Sequence, residues 1–189
     1  MSWIASVTVR KIALAAMLAA VLASQAGLAG AEPPQQGDMV KFVPSAEDRP
    51  APDIPFISAA GQPIKLDSYR GKTVLVNFWA TWCPPCVKEL PSLERLNAEI
   101  GGPDFEVVLI SIDRGGARIY EPFLEKLGIV NLRSAADSKA DLLRAFKAPG
   151  LPTTYLIGPD GSIRGRLVGD AEWDSAAAKD LIKYYASSS

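Results

Sequence analysis

The two cysteines of the chain, Cys83 and Cys86, stand in one short run, Cys83-Pro84-Pro85-Cys86, so an intrachain disulfide can only close a ring of near-minimal size. The residues before the pair, Val74 to Trp79, are almost uniformly apolar and rich in β-branched and aromatic side chains, as in a central strand covered on both faces. Pro84 follows Cys83 where the first residue of a helix would sit. Cys83 is then a helix N-cap. A thiolate there feels the positive end of the helix dipole and free backbone donors, which lowers its pKa and makes it the attacking sulfur in disulfide exchange. Pro84 and Pro85 lack amide hydrogens, so the nearest donor left is the amide of Cys86 and the depression is limited.

Other chemistries fit the composition poorly. A zinc site wants four ligands, and the chain has no histidine and no third cysteine, so no metal is expected. A purely structural staple is a weak reading, because stabilisation by cross-linking grows with loop length. Without histidine there is no Ser-His or Cys-His pair. Gly115-Gly116 and Gly158 to Gly161 read as turn glycines, not as a phosphate cradle. Peroxidase chemistry would use a threonine shortly before a lone cysteine. Thr81 has that place, but the neighbouring second thiol and Trp82 favour exchange. Net charge is -1 and no basic stripe stands out, which argues against nucleic acid as a partner.

The run NFWATWCPPC followed by VKELP resembles the TlpA/ResA-type exported branch of the thioredoxin-like proteins, and the similarity extends from about Pro52 to Tyr185. Matched by position, Trp82 is the aromatic residue before the first cysteine and Pro91 the proline that kinks the active-site helix. Leu151-Pro152-Thr153 resembles the loop whose cis-proline faces the dithiol. The resemblance implies an α/β thioredoxin-like fold, a central mixed sheet flanked by helices, with an N-terminal β-hairpin extension. It also implies a reductase in which Cys83 attacks a substrate disulfide and Cys86 resolves the mixed disulfide. A cis Leu151-Pro152 bond would expose the Leu151 backbone for strand-like pairing with a substrate chain, while Trp82 borders the site and Trp79 packs in the core. Cytosolic thioredoxins carry a buried aspartate six residues before the first cysteine, where this chain has Asn77. Exported relatives often place a glutamate three residues after the second, and Glu89 is there. Residues three apart share a helix face, so Glu89 could take the proton of Cys86; the competing reading is a solvated glutamate in the first turns. No cofactor beyond the dithiol is implied, and copper-carrying relatives need a histidine that is missing here.

The partners implied are exported proteins with disulfides, among them copper-site and haem assembly factors, and a membrane thiol donor of the DsbD or CcdA type. The domain is expected to act as a monomer. A general disulfide oxidase of the same fold and a non-catalytic binding module using the cis-proline groove are the alternatives.

Taken in order, residues 1–31 read as a targeting segment: Arg10 and Lys11 precede an apolar, alanine-rich run, and Ala29-Gly30-Ala31 supplies a small-x-small cleavage pattern. The run is also long enough to remain as an uncleaved membrane anchor. Either outcome puts the rest of the chain outside the cytoplasm, in the periplasm. Residues 32–51 are rich in proline and polar residues and read as a linker with at most a short strand near Val40 to Val43. The thioredoxin-like domain is assigned to 52–189. Within it the patterns predict a hairpin from Ile54–Ser58 and Pro63–Leu66, the strand Val74–Trp79, and a helix bearing Leu90, Leu93, Leu96 and Ile100 that stops at Gly101-Gly102. A strand over Phe105–Ile112 follows, then helices over Ile119–Leu127 and Asp141–Phe146. Strands Thr154–Ile157 and Ile163–Val168 join through Pro-Asp-Gly-Ser, and the last helix runs over Trp173–Tyr185. Mass spectrometry of protein from the exporting cell should find a terminus just after Ala31; an intact Met1 in the membrane fraction would identify the anchor.

Overall fold

The computed structural model describes residues 33–187, and the expected targeting segment lies outside them. Eight strands form one sheet: β1 (Phe42–Pro50), β2 (Phe56–Ile57), β3 (Pro63–Ile64), β4 (Thr73–Trp79), β5 (Phe105–Ser111), β6 (Ser134–Ala136), β7 (Thr153–Ile157) and β8 (Ser162–Val168). Their order is β1-β8-β7-β4-β5-β6-β2-β3. β4, β5 and β6 run parallel, and the remaining pairings are antiparallel. Among the described residues four α-helices accompany it: α1 (Pro84–Ile100), α2 (Ala117–Lys126), α3 (Asp141–Ala145) and α4 (Ala176–Ser187). The expected α/β architecture, a mixed sheet with a small hairpin ahead of its central strand, is what the chain adopts.

Every residue of β4 is buried, which explains its nearly continuous apolar run. Its side chains alternate between two cores. Leu75 and Trp79 join Leu90, Leu93 and Leu96 of α1 and Leu181 and Ile182 of α4. Val74, Val76 and Phe78 join Leu142 of α3, Phe146, Tyr155 and Phe56. Asn77 therefore points to the α1 side although it is polar, and that position matters for the site.

α1 begins and ends as its sequence dictates, with Cys83 at the N-cap, Pro84 at the first position and Gly101 at the C-cap. α4 starts three residues later than its periodicity suggests. Ser175 Oγ accepts the amide of Ala178 at 3.2 Å, capping the helix there, while Trp173 is used elsewhere. α3 is closed by Asp137, whose buried carboxylate accepts the amides of Asp141 and Leu143, both at 2.9 Å.

The linker reading of 32–51 needs correction. Residues 42–50 form edge strand β1, paired with β8 from Phe42↔Leu167 to Pro50↔Ser162 with an irregularity between Pro44 and Arg49. Its prolines are tolerated because an edge strand need pair on one side only. No alternation advertises it: Phe42 is buried, whereas Val43 is 57% exposed. Ahead of it, a short 3-10 helix over Gly37–Lys41 buries Met39 completely. β6 also went unforeseen, since Ser-Ala-Ala carries no strand signature of its own.

The β1 edge depends on close approach at Gly165, which lies opposite Pro44. A Cβ there would run into the Phe42 ring and lie 2.6 Å from the Val43 carbonyl oxygen, which is backbone. Gly165→Ala should therefore destabilise the domain by about 1–3 kcal/mol, read as a lowered urea midpoint.

Candidate active site

The dithiol stands at the C-terminal end of β4, and backbone and side-chain bonds fix the loop that delivers it. Ile112 donates its amide to the Trp79 carbonyl at 3.0 Å, and Cys83 donates to Ala80 at 3.2 Å. The buried carboxylate of Asp113 accepts the Thr81 amide at 3.0 Å, the Thr81 hydroxyl at 2.9 Å and the Ser111 hydroxyl at 2.8 Å. Asp113 thus ties the loop after β4 to the end of β5. Asp113 stands between the predicted strand Phe105–Ile112 and the turn glycines Gly115-Gly116, and nothing in its local pattern distinguishes it from an ordinary turn residue.

Cys83 and Cys86 are joined by a disulfide, with Cα atoms 5.3 Å apart. Cys83 is 5% exposed and Cys86 wholly buried, so whatever exposure the pair retains belongs to Cys83. The Cys86 amide donates to Cys83 Sγ at 3.3 Å, the one donor expected to survive the two prolines. Trp82 is 64% exposed beside this turn. Trp79 is fully buried and donates its indole N–H to Ser134 Oγ at 2.9 Å, which fits its expected core place.

Pro91 lies inside α1. The Leu151-Pro152 peptide bond is cis. Thr153 pairs with Phe78 across the β4–β7 ladder, so Pro152 lies at the end of the sheet from which β4 leads to the cysteines. The Pro152 carbonyl accepts the Gly169 amide at 2.9 Å, and the Thr153 hydroxyl donates to Gly150 at 2.7 Å.

Glu89 is the least expected part of the site. It is 2% exposed, which rules out a solvated glutamate. Asn77 Nδ2 donates to its Oε1 at 2.8 Å, while Trp173 Nε1 at 2.9 Å and the Ala171 amide at 3.2 Å donate to Oε2. Burial pushes its pKa up to about 7, against the opposing pull of the Trp173, Asn77 and Ala171 donors. Asn77 Nδ2 also donates to Thr154 Oγ1 at 2.8 Å, and its buried Oδ1 has no hydrogen-bond partner. Trp173 was missed by sequence reasoning, which counted it as the first residue of the last helix. Its contact lies more than eighty residues away, beyond any local pattern.

A family model described as the AhpC/TSA family matches residues 48–166. The chain belongs to this family. It is 31% identical over 118 residues to the thiol-disulfide oxidoreductase ResA of Bacillus subtilis (strain 168), covering 62% of this chain and 65% of that protein. The chain thus spans just under two thirds of that relative's length. It is 31% identical over 119 residues to the ResA of Geobacillus kaustophilus (strain HTA426), covering 63% and 67%. Among solved structures, a thiol:disulfide interchange protein of the thioredoxin family from Chlorobium tepidum TLS superposes with a TM-score of 0.57 at 28% identity, over 73% of this chain and 99% of that one. These likenesses bear out the thioredoxin-like fold and the ResA-type resemblance. Among the described residues no helix is long and apolar enough to cross a membrane.

The raised pKa of Glu89 has a direct consequence for stability. Its folded value of about 7 exceeds the ordinary 4.5, so between those pH values the native state holds more protons than the unfolded chain. Unfolding free energy should fall by on the order of 2–3 kcal/mol as pH rises from about 4.5 to about 7 and change little above that. Denaturant titrations of the oxidised protein check this, and Glu89→Gln should flatten the slope.

Proposed function

We propose that the protein is a periplasmic thiol-disulfide oxidoreductase that reduces disulfides in exported proteins. The observation that carries this reading is the Cys83–Cys86 disulfide at the N-terminus of α1, with a buried carboxylate three residues further along the same helix. In the reduced protein the Cys83 thiolate attacks a substrate disulfide. One substrate sulfur leaves as thiolate, and a mixed disulfide to Cys83 forms. Cys86 then attacks Cys83 Sγ, the second substrate sulfur leaves, and the protein disulfide closes. Two electrons pass to the substrate and the dithiol is oxidised.

Cys86 must lose its proton before it attacks, and Glu89 is the acceptor in this scheme. A carboxylate with a pKa of about 7 lies closer to a thiol than a solvated one would, so the transfer is less uphill than it would be to an exposed glutamate. Asn77 supports both states of Glu89. Its Nδ2 serves the carboxylate, and its unpartnered Oδ1 can accept from the protonated acid after the amide turns over. Trp82 and the Leu151-Pro152 segment form the surface on which a substrate chain would lie, with strand-like pairing to the Leu151 backbone.

The family name leaves room for peroxide chemistry with Thr81 assisting Cys83. The Thr81 hydroxyl hydrogen is given to Asp113, however, and that favours disulfide exchange. Re-reduction would come from a membrane thiol donor of the DsbD or CcdA type. The likeness to proteins named thiol-disulfide oxidoreductase ResA supports thiol-disulfide exchange, and the reductive direction and substrates among haem-handling or copper-handling assembly factors are what the resemblance read from the sequence implies.

Cys86→Ser should stall the reaction at the mixed disulfide, because a solvent thiol is slow beside one held a helical turn away. Expressed in the native exporter, this variant should accumulate covalent adducts on a non-reducing gel, whereas Cys83→Ser should capture none. A Cys86→Ser protein with reduced Cys83 and no adducts would sink the reductase reading.

A further inference from the structure

We propose that Asp38 and Lys41, on the 3-10 turn before β1, are positioning residues for Glu89, holding the Asp170–Trp173 loop closed over its carboxylate. The proposal rests on Glu89 serving the dithiol as set out above, but its geometry stands independently. Two donors to Glu89, the Ala171 amide and the Trp173 indole, come from this one loop. The loop is gripped on both sides of Ala171. Lys41 Nζ donates to the Asp170 carbonyl at 3.0 Å, and Asp38 Oδ2 accepts the Glu172 amide at 3.0 Å. Lys41 and Asp38 are themselves paired at 3.1 Å, so the two grips act together.

The turn that carries them is firmly seated. Met39 between them is fully buried, and Phe42 just after packs its ring 5.7 Å from that of Tyr185 on α4. From the opposite side Lys88, next to Glu89 on α1, pairs with Asp170 Oδ2 at 2.7 Å. Exposed ion pairs are weak singly, but here they restrain the loop together with Ser92 of α1, whose buried hydroxyl donates to the Ala171 carbonyl at 3.3 Å and accepts the Trp173 amide at 3.1 Å. The matched family segment, 48–166, includes neither the turn nor the loop. This chain therefore completes the surroundings of Glu89 with residues from outside that segment.

The groups facing Glu89 are Asn77 on β4, with Thr154 of β7 behind it, Cys86 one turn earlier on α1, and Ala171 and Trp173 on the loop. Asp170, paired with Lys88, is the charged group that acts on it, and its negative charge raises the Glu89 pKa. If the brace is released, water reaches the carboxylate, and loss of burial outweighs loss of the two donors because burial is the larger influence on this group.

The test is the titration midpoint of the Glu89 side-chain carboxyl, followed by carbon-13 NMR in the full-length disulfide form, where neither cysteine titrates. Asp38→Ala combined with Lys41→Met should lower the midpoint by about half a unit or more toward the ordinary carboxylate range. Asp38→Asn alone, which keeps an acceptor for the Glu172 amide, should retain most of the wild-type value. A midpoint that stays put or rises in the double variant would overturn the proposal, as would an equal shift from Asp53→Ala, which breaks an exposed pair with Lys65 elsewhere. A wild-type protein inactive in disulfide exchange would instead count against the proposed function and leave this titration readable.

Discussion

A carboxylate taken out of water beside a pair of cysteines is the constraint on which the rest of this site depends. Glu89 is nearly inaccessible, and a buried charge without partners would cost several kcal/mol. Three donors converge on it from two separate parts of the chain: Asn77 from the middle of β4, and Ala171 and Trp173 from the loop between β8 and α4. They do not restore full hydration, and the carboxyl titrates near neutrality. The fold thus gives up stability at high pH to keep this carboxyl titrating near neutrality, where the proposed role of proton acceptor for a thiol needs it.

The sheet makes this convergence possible. β4 is central, so its side chains alternate between two fully covered faces, and a polar residue on either face must find its partner inside the protein. Asn77 meets that requirement by joining α1 through Glu89 to β7 through Thr154. The same strand then runs out into the loop carrying Thr81 and Cys83, where Asp113 at the end of β5 takes over as anchor. Two buried carboxylates consequently flank the dithiol in the chain's architecture. Asp113 fixes the backbone before it, and Glu89 lies on the helix behind it.

What the sequence disclosed and what it concealed divide along the range of the interactions involved. The N-cap role of Cys83, the all-apolar β4, the stop of α1 at Gly101 and the β7–β8 hairpin around Asp160-Gly161 are set by neighbours a few residues away, and all could be read from pattern. The position of Glu89 on the helix was readable too, because it follows from spacing. Its burial was not, because the loop that covers it comes from the far end of the chain. β1 was hidden for a related reason: a one-sided edge strand with prolines has no period to detect, and its place is decided by β8 and by the gap that Gly165 leaves for Phe42. Asp113 and Trp173 look like ordinary turn and helix residues until the tertiary contacts are known.

The surroundings of the two cysteines differ in the direction that sequential exchange requires. Cys83 sits at the helix N-terminus with a backbone amide directed at its sulfur, an environment that favours the thiolate. Cys86 is fully buried and shares a helix face with a carboxylate, and both burial and a nearby negative charge favour the protonated thiol. In the proposed reaction this asymmetry keeps Cys86 protonated while Cys83 attacks. It is relieved when Glu89 takes the proton, since that single transfer creates the second nucleophile and removes the charge that had opposed it. A carboxylate held in water would take that proton far less readily, because its pKa would lie further below that of the thiol. The covering loop over Glu89 is therefore as much a part of the proposed chemistry as the cysteines themselves.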